Sequence, residues 1–222
     1  MEMQERQRKR RSEPPEVRRL QLIMAAIDSI SKRGFSDTTL KHVTETANLS
    51  HGVVNYHFDS KEALYDAALG FLAQEHYENW LRHYEAAEPT AAHRLAAIIR
   101  ADFDKSVCTH KRLAVWFAFW GQAKYRPNYL KIHNRYDVER YERIGLICEQ
   151  IAAEGKYANV SPERAARMLE SLIDGQWLNL MLYPTITDRT ECRTECFDLL
   201  SRYFPRHFNE AGALSSLECA QS

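Results

Sequence analysis

The segment from Gly34 to Ala67, GFSDTTLKHVTETANLSHGVVNYHFDSKEALYDA, leaves few folds open. Thr39 is placed to cap a helix whose Leu40, Val43 and Ala47 share one face at i, i+3 and i+7. Asn48 follows, a residue that tolerates left-handed backbone, so the helix can stop and the chain turn there. Ser50 is placed to cap a second short helix over about 50–57, and Asp59-Ser60 a further one with Lys61 and Glu62 in its first turn. Two helices joined by a tight turn, the second short and polar-faced, describe a helix-turn-helix, the arrangement that lays a helix in the major groove of DNA.

The flanking sequence supplies the third wall. From Glu16 to Gly34, Val17, Leu20, Ile23/Met24, Ile27 and Ile30 read as the buried stripe of a helix that Gly34 ends. A three-helix DNA-binding domain over 16–62 is expected, preceded over 1–15 by an unstructured basic arm that carries Arg6, Arg8, Lys9, Arg10 and Arg11. Such an arm either reaches phosphates or a minor groove, or is a solvated tail. Formal net charge is zero over 222 residues, so any nucleic-acid contact rests on where the charge sits.

The remainder, 63–208, reads as a larger helical regulatory and dimerisation domain, with a frayed tail over 209–222. A helix from Ser60 to about Tyr84 is the expected covalent path from the reading head, and Glu88-Pro89-Thr90 breaks the pattern after it. Helices follow from Thr90, over Leu113–Lys124, over Asn128–Glu154 with a stop at Gly155, from Ser161-Pro162 to about Tyr183, and over Glu191–Phe204. Strict alternation is nowhere sustained, so the fold class is all-α, with about nine helices. Five scattered cysteines and no signal peptide suit a reduced cytoplasm, and Cys192-x-x-x-Cys196 reads as packing rather than a metal site. The apolar run Leu113–Trp120 is far short of the ~20 residues of a bilayer span, so no membrane is expected. No metalloprotease motif, phosphate loop or nucleophile elbow is present; neither an enzyme nor a cofactor is expected. A helical protein-interaction adaptor is the alternative of another class.

Within the head, geometry assigns roles. Ser50, His51, Val53 and Asn55 are candidates for base edges, since Asn pairs bidentately with adenine and Val packs on a thymine methyl. Thr39, Lys61, Tyr56 and His57 suit phosphates, with Lys41 beside them, and Gly52 lets the backbone come close. The helices after Ser161 are apolar on more than one face, as a central core helix or a subunit interface would be. Residues 113–141 are dense in aromatic rings, which helices mostly use as core.

The ordered residues Gly34, Thr38, Thr39, Ala47, Ser50, Gly52, Tyr56, Phe58, Lys61 and Leu64 resemble the TetR family of bacterial repressors. Val43-Thr44 stands where that pattern has Ile-Ala, Asn48-Leu49 where it has Gly-Val, and Asn55 where many members carry tyrosine. The resemblance implies a ligand-responsive repressor that binds double-stranded operator DNA as a homodimer. The last two helices would form the interface, through Leu169, Leu172, Ile173, Leu180, Met181, Cys196, Leu199 and Tyr203. The segments LAVWFAFWGQAKYRPNY and ESLIDGQWLNLML are similar to the choline-responsive BetI branch. That likeness implies a quaternary-amine effector held by aromatic faces, from Trp116, Trp120, Tyr136 and Trp177, with charge from Asp102, Asp137 or Asp174. A repressor sensing an unrelated apolar or aromatic ligand is the alternative.

Overall fold

Pro14 and Pro15 set the first helix, because a fixed φ and a missing amide cost nothing at a helix start. The computed structural model describes residues 13–215, and among them nine helices and one two-stranded hairpin. The basic arm expected over 1–15 falls, for residues 1–12, outside the described residues, as does Cys219. In chain order the elements are α1 (Pro15–Asp37), α2 (Leu40–Ala47), α3 (His51–His57), α4 (Lys61–Ala86), α5 (Ala91–Asp102), α6 (His110–Ala123), α7 (Pro127–Glu154), α8 (Pro162–Leu182), α9 (Arg189–Tyr203), β1 (Phe208–Asn209) and β2 (Gly212–Ala213). They form two compact units, one running up to Phe71 with Ala114–Leu130, the other made of Leu72–Leu113 with the chain from Lys131. The chain passes between them along α4, α6 and α7, not along α4 alone.

In the first unit, α1 buries Leu22, Ile23, Ala26, Ile27 and Ile30. Val17, Leu20 and Met24, expected in the stripe, are exposed instead. The buried face is turned by about one residue, which brings the small Ala25, Ala26 and Ser29 inward and lets α2 approach closely. The Ser29 and Thr46 hydroxyls meet there at 3.2 Å. Gly34 ends the regular helix at φ 77°, a conformation open to glycine and costly for other residues. The turn is then fixed twice: the Thr38 hydroxyl donates to the Gly34 carbonyl at 2.7 Å, and the buried Tyr65 hydroxyl of α4 donates to the Thr38 carbonyl at 3.0 Å. Phe35 packs edge-on against Tyr65, Phe119 and Tyr129, with Arg126 over its face.

In the second unit, side-chain caps mark the helix starts, at Thr90 and Ser161 as the sequence expects, and at Asp188, so that α9 begins at Arg189 rather than at the expected Glu191. Thr90 accepts from the His93 amide at 3.2 Å, Ser161 from Arg164 at 3.2 Å, and Asp188 from Thr190 at 2.7 Å. The core gathers Trp80, Leu95, Ile98, Ile99, Ile144, Cys148, Ile151, Leu169, Leu200 and Phe204. Helix α7 stops at Glu154, but the left-handed residue is Lys156 (φ 49°). Gly155 is required for a different reason, since a Cβ there would run into the Tyr157 ring. Of the tail expected to fray over 209–222, residues 216–222 lie outside the described residues, and the part that is described forms the hairpin, where Phe208 pairs with Ala213 and Asn209 with Gly212. Phe208 is buried, and that burial anchors a segment without helical periodicity.

Candidate DNA-reading head and effector site

The reading head is built from caps. Thr39 forms a reciprocal cap on α2: its hydroxyl accepts from the His42 amide at 3.3 Å, and His42 Nδ1 accepts from the Thr39 amide at 3.3 Å. Asn48 takes the left-handed conformation at φ 53°, ψ 48°, and its amide donates back to Glu45 and Thr44 carbonyls, closing α2. Ser50 occupies the cap position of α3 without a side-chain capping bond, so its hydroxyl is not consumed by the helix as the sequence reading assumed. Val54 and Phe58 are buried and fix α3 to the head, with the Arg19 guanidinium 5.0 Å from the Phe58 ring centre. That orientation exposes Thr39, Lys41, Ser50, His51, Gly52, Asn55 and Tyr56, the last at 76 %, and leaves Val53 and His57 half-buried. At the start of α4, Ser60 accepts from the Ala63 amide at 3.0 Å, and the half-buried Lys61 ammonium lies 5.1 Å from the Tyr65 ring centre.

The second unit holds a buried polar cluster. Asp102, at the end of α5, has no solvent exposure. His76 Nε2 lies 2.9 Å from one of its oxygens, and Arg140 donates to the other at 2.6 Å. Arg140 also donates to Glu170 at 2.7 Å, while Trp177 donates to the Asp102 carbonyl at 3.0 Å and meets the His76 ring edge-on. Burial alone would raise Asp102, but Arg140 and His76 outweigh it and hold the carboxyl below the usual range. Burial likewise opposes the charge on Arg140, yet the surrounding carboxylates raise it well above the ordinary guanidinium range. Glu170 moves the other way, raised by burial and the nearby Asp102. Asp137 stands at the edge, 4.0 Å from Arg140 and 3.9 Å from His133, whose imidazole is lowered by burial.

Asp174 differs from these three carboxylates. It falls between Glu170 and Trp177 on α8 at i, i+4 and i+7, is exposed, and feels the charges of Arg140, Asp137, Asp102 and His76. Among the described residues it makes no hydrogen bond or ion pair. Crowding by protein pushes its carboxyl up to about 6, while one face stays open to solvent. Arg140 Nε and Glu170 Oε1 are also buried without a hydrogen-bond partner.

Two family profiles match the chain: one described as bacterial regulatory proteins of the tetR family over residues 22–68, the other as the C-terminal part of BetI-type transcriptional repressors over 91–205. The chain belongs to the TetR family. Among its relatives are the HTH-type transcriptional regulators BetI of Burkholderia thailandensis and Paraburkholderia phymatum. Each is 32 % identical over 163 residues, covering 73 % of this chain and 81 % of the relative. A transcriptional regulator from Pseudomonas aeruginosa PAO1 has the same fold, with TM-score 0.77 and 26 % identity over 89 % of this chain and 97 % of that one. A regulator from Saccharomonospora viridis, solved in complex with choline, shares the fold at TM-score 0.72 and 18 % identity, over 82 % of this chain and 95 % of that one. Like its relatives, this TetR-family chain is a DNA-binding transcriptional regulator and not an enzyme. Regulators of the family bind operator DNA, dimerise and answer to small-molecule effectors.

The residues expected at the effector site divide between the units. Asp102, Tyr136, Asp137, Asp174 and Trp177 belong to the second; Trp116 and Trp120, with ring centres 6.2 Å apart, belong to the first. Tyr136 packs on Tyr77 at 5.6 Å. Asp102 is corrected from free counter-ion to structural anchor, because Arg140 and His76 already occupy it. His76, Arg140 and Glu170 were missed; single charged residues on three helices carry no sequence pattern.

Of the expected interface residues, Leu169, Ile173, Leu180 and Cys196 are already buried in the single chain and are core. Cys192 and Cys196 pack inside, and burial raises both thiols, the former to about 11. Leu172, Met181, Leu199 and Tyr203 stay half-buried, whereas Met168, Leu178 and Leu182 form an exposed apolar row that periodicity alone did not separate from the core.

Proposed function

We propose that this regulator works in the cytoplasm as a homodimeric, ligand-responsive repressor. It reads a near-palindromic operator through Ser50, His51, Val53 and Asn55 and grips phosphates through Thr39, Lys41, Tyr56, His57 and Lys61. Support comes from the exposed polar face of α3, held outward by the burial of Val54 and Phe58. The subunits meet through the exposed row Met168, Leu178 and Leu182 with Leu172, Met181, Leu199 and Tyr203, because a helix apolar on a second face wants a second partner.

The effector is a small organic cation of the choline class, received at the cluster around Asp174. The observation that carries this reading is a charge imbalance: Asp102, Glu170 and Asp137 lie 2.6, 2.7 and 4.0 Å from a single guanidinium, Arg140, and Asp174, on the helix of Glu170, adds a fourth carboxylate within reach of the same charge. Trp177 and Tyr136 supply aromatic faces to a cation there. Gel retardation on the DNA upstream of the gene, with and without choline, tests both halves. Specific retention that choline alters is expected. A monomer in light scattering that ignores its own promoter overturns the repressor reading, and a response to acyl compounds alone overturns the cation reading.

A further inference from the structure

Among the described residues of the first unit, two guanidiniums lie over aromatic rings, Arg126 over Phe35 and Arg19 over Phe58, and they are used differently. Arg126 has an acid beside it, Glu62 at 3.8 Å. Arg19 is exposed, and among the described residues it makes no hydrogen bond or ion pair. A ring attracts the cation without taking up its N–H donors, so the fork is oriented and still unspent. Its place is set by Phe58, the residue that closes α3: the Phe58 amide donates to the Val54 carbonyl at 2.8 Å, and the side chain is buried. Arg19 therefore stands at the end of α3 that carries Tyr56 and His57. At the opposite end of α1, Phe35 packs against Phe119 of α6 and Tyr129 of α7, so α1 has an inner end held by those helices and an outer end that bears Arg19. The neighbouring Arg18 is half-buried and donates to Gln21 at 3.1 Å.

We infer that Arg19 binds a phosphodiester of the operator backbone beside the contacts of Tyr56 and His57, and so anchors the C-terminal end of α3 on the duplex. The planar fork matches two phosphate oxygens, and a guanidinium already held against Phe58 loses little side-chain freedom when the phosphate arrives. A backbone contact fixes position and carries no sequence information, so Arg19 adds affinity and salt dependence without adding base preference. The contact lies on α1, outside the helix-turn-helix to which the other phosphate contacts belong. This inference rests on the placement of α3 against DNA proposed above.

Fluorescence anisotropy on the full chain, with a duplex from upstream of the gene and a scrambled duplex over a range of salt, tests the contact. The control is Arg33, also exposed and without a hydrogen bond or ion pair among the described residues, and ~21 Å further along α1. Arg19→Met keeps a side chain over Phe58 and removes the charge. It should weaken both duplexes about fivefold or more at ~0.1 M salt, and lower the salt slope by ~0.9 for each phosphate released, with the ratio between the duplexes unchanged. Arg19→Lys should restore most of the slope but not the full affinity, because an ammonium lacks the fork. Arg33→Ala, more than a Debye length away, should change affinity by less than about twofold. Thermal unfolding without DNA checks the fold of each variant, and Arg19→Gln is a second neutral variant should Arg19→Met fold poorly. Parent affinity and slope in a folded neutral variant overturn the contact and leave Arg19 as a cover for Phe58. An equal loss in Arg33→Ala overturns it in favour of a general field, and a changed ratio between the duplexes in Arg19→Met overturns it in favour of an effect through α3. Failure of the parent to prefer the upstream duplex overturns the DNA reading of α3, and this site with it.

Discussion

The reading head and the effector cluster are both polar sites on helices, but they are made in opposite ways. In the head, every proposed DNA contact except Arg19 lies within Thr39–Lys61, and the groups that orient it are local: a reciprocal cap, a left-handed Asn48 and two buried anchors, Val54 and Phe58. In the cluster, the working groups come from four helices, with Asp102 and Arg140 38 positions apart and Trp177 reaching back 75 positions to the Asp102 carbonyl. A site built locally is free to change its exposed residues without touching the fold. A site built from buried charges is part of the fold, and its chemistry and stability move together.

The sharpest way to break that comparison is to remove Arg140. Arg140→Ala leaves Asp102 with no exposure and Glu170 nearly buried, facing each other without their shared cation. Removing one partner of a buried ion pair costs about 3–5 kcal/mol, a large part of a domain's stability. Urea unfolding followed by tryptophan fluorescence should show that loss, whereas Tyr56→Ala, 76 % exposed, should stay within about 0.5 kcal/mol of the parent. Equal stability of the two variants would mean that the cluster is as dispensable to the fold as the head's surface.

On DNA the ranking reverses. Asn55→Ala should cost about 1–3 kcal/mol of discrimination at one base pair, while Lys61→Ala should weaken all sequences alike and reduce the salt slope by about one. Fluorescence anisotropy with the operator and a scrambled duplex, over a range of salt, separates the two. Arg140→Ala, compared at a temperature where it is folded, should leave the base preference unchanged. A shift in preference there would show that the cluster sets sequence choice as well as response.

This contrast also explains what the sequence made legible. Thr39, Asn48, Ser60 and Ser161-Pro162 act on backbone groups within four residues, so their meaning survives in one dimension. The helical class, the head and the helix starts were readable for that reason. The buried side of α1 was misplaced because Val17, Leu20 and Met24 have the same periodicity as Leu22, Ile23 and Ile30, and only the approach of α2 to the alanines decides between the two faces. Asp102 was identified, but its partners were not, since nothing in the segments around His76 or Arg140 announces a contact across the chain. The hairpin after Phe208 escaped because two-residue strands have no periodicity to read.

A finer test uses two residues that occupy the same position in neighbouring helices. Thr39→Ala removes a cap whose hydroxyl accepts from His42 at 3.3 Å, and should destabilise the protein by about 0.5–2 kcal/mol. Ser50→Ala removes no capping bond and should be nearly neutral for stability, yet lower operator affinity through its exposed hydroxyl. Thermal unfolding and anisotropy on both variants check this. Equal destabilisation would show that cap position, not the hydrogen bond, governs these short helices.

The smallest expected effect has the opposite sign, and it sets the open carboxylate of the cluster against the closed one. The Asp174 carboxyl is raised in the folded chain from 3.8 to about 6, so the native state binds a proton that the unfolded chain has released. Stability from that group is fully present below the unfolded value, declines as pH rises through about 6, and is gone at neutral pH, where the ionised side chain sits among like charges. Asp174→Asn removes the titration and should stabilise the effector-free protein near pH ~7.5. Because solvent reaches one face of the group, the gain should be held to about 0.5–1 kcal/mol, a rise of about 1–4 °C in Tm, and should fall to about half of that near pH ~5, vanishing only below the unfolded value of 3.8. Asp102 must behave the other way. Its carboxyl is lowered by Arg140 and His76, so its contribution is present above the unfolded value and is lost as pH falls through the folded one. Asp102→Asn should therefore destabilise at neutral pH, and more than Asp174→Asn stabilises. Differential scanning calorimetry of both variants at the two pH values distinguishes a carboxylate that holds the fold from one held in reserve for a cation. Destabilisation by Asp174→Asn at both pH values would place Asp174 with the structural group, and the site would then have no open carboxylate to offer.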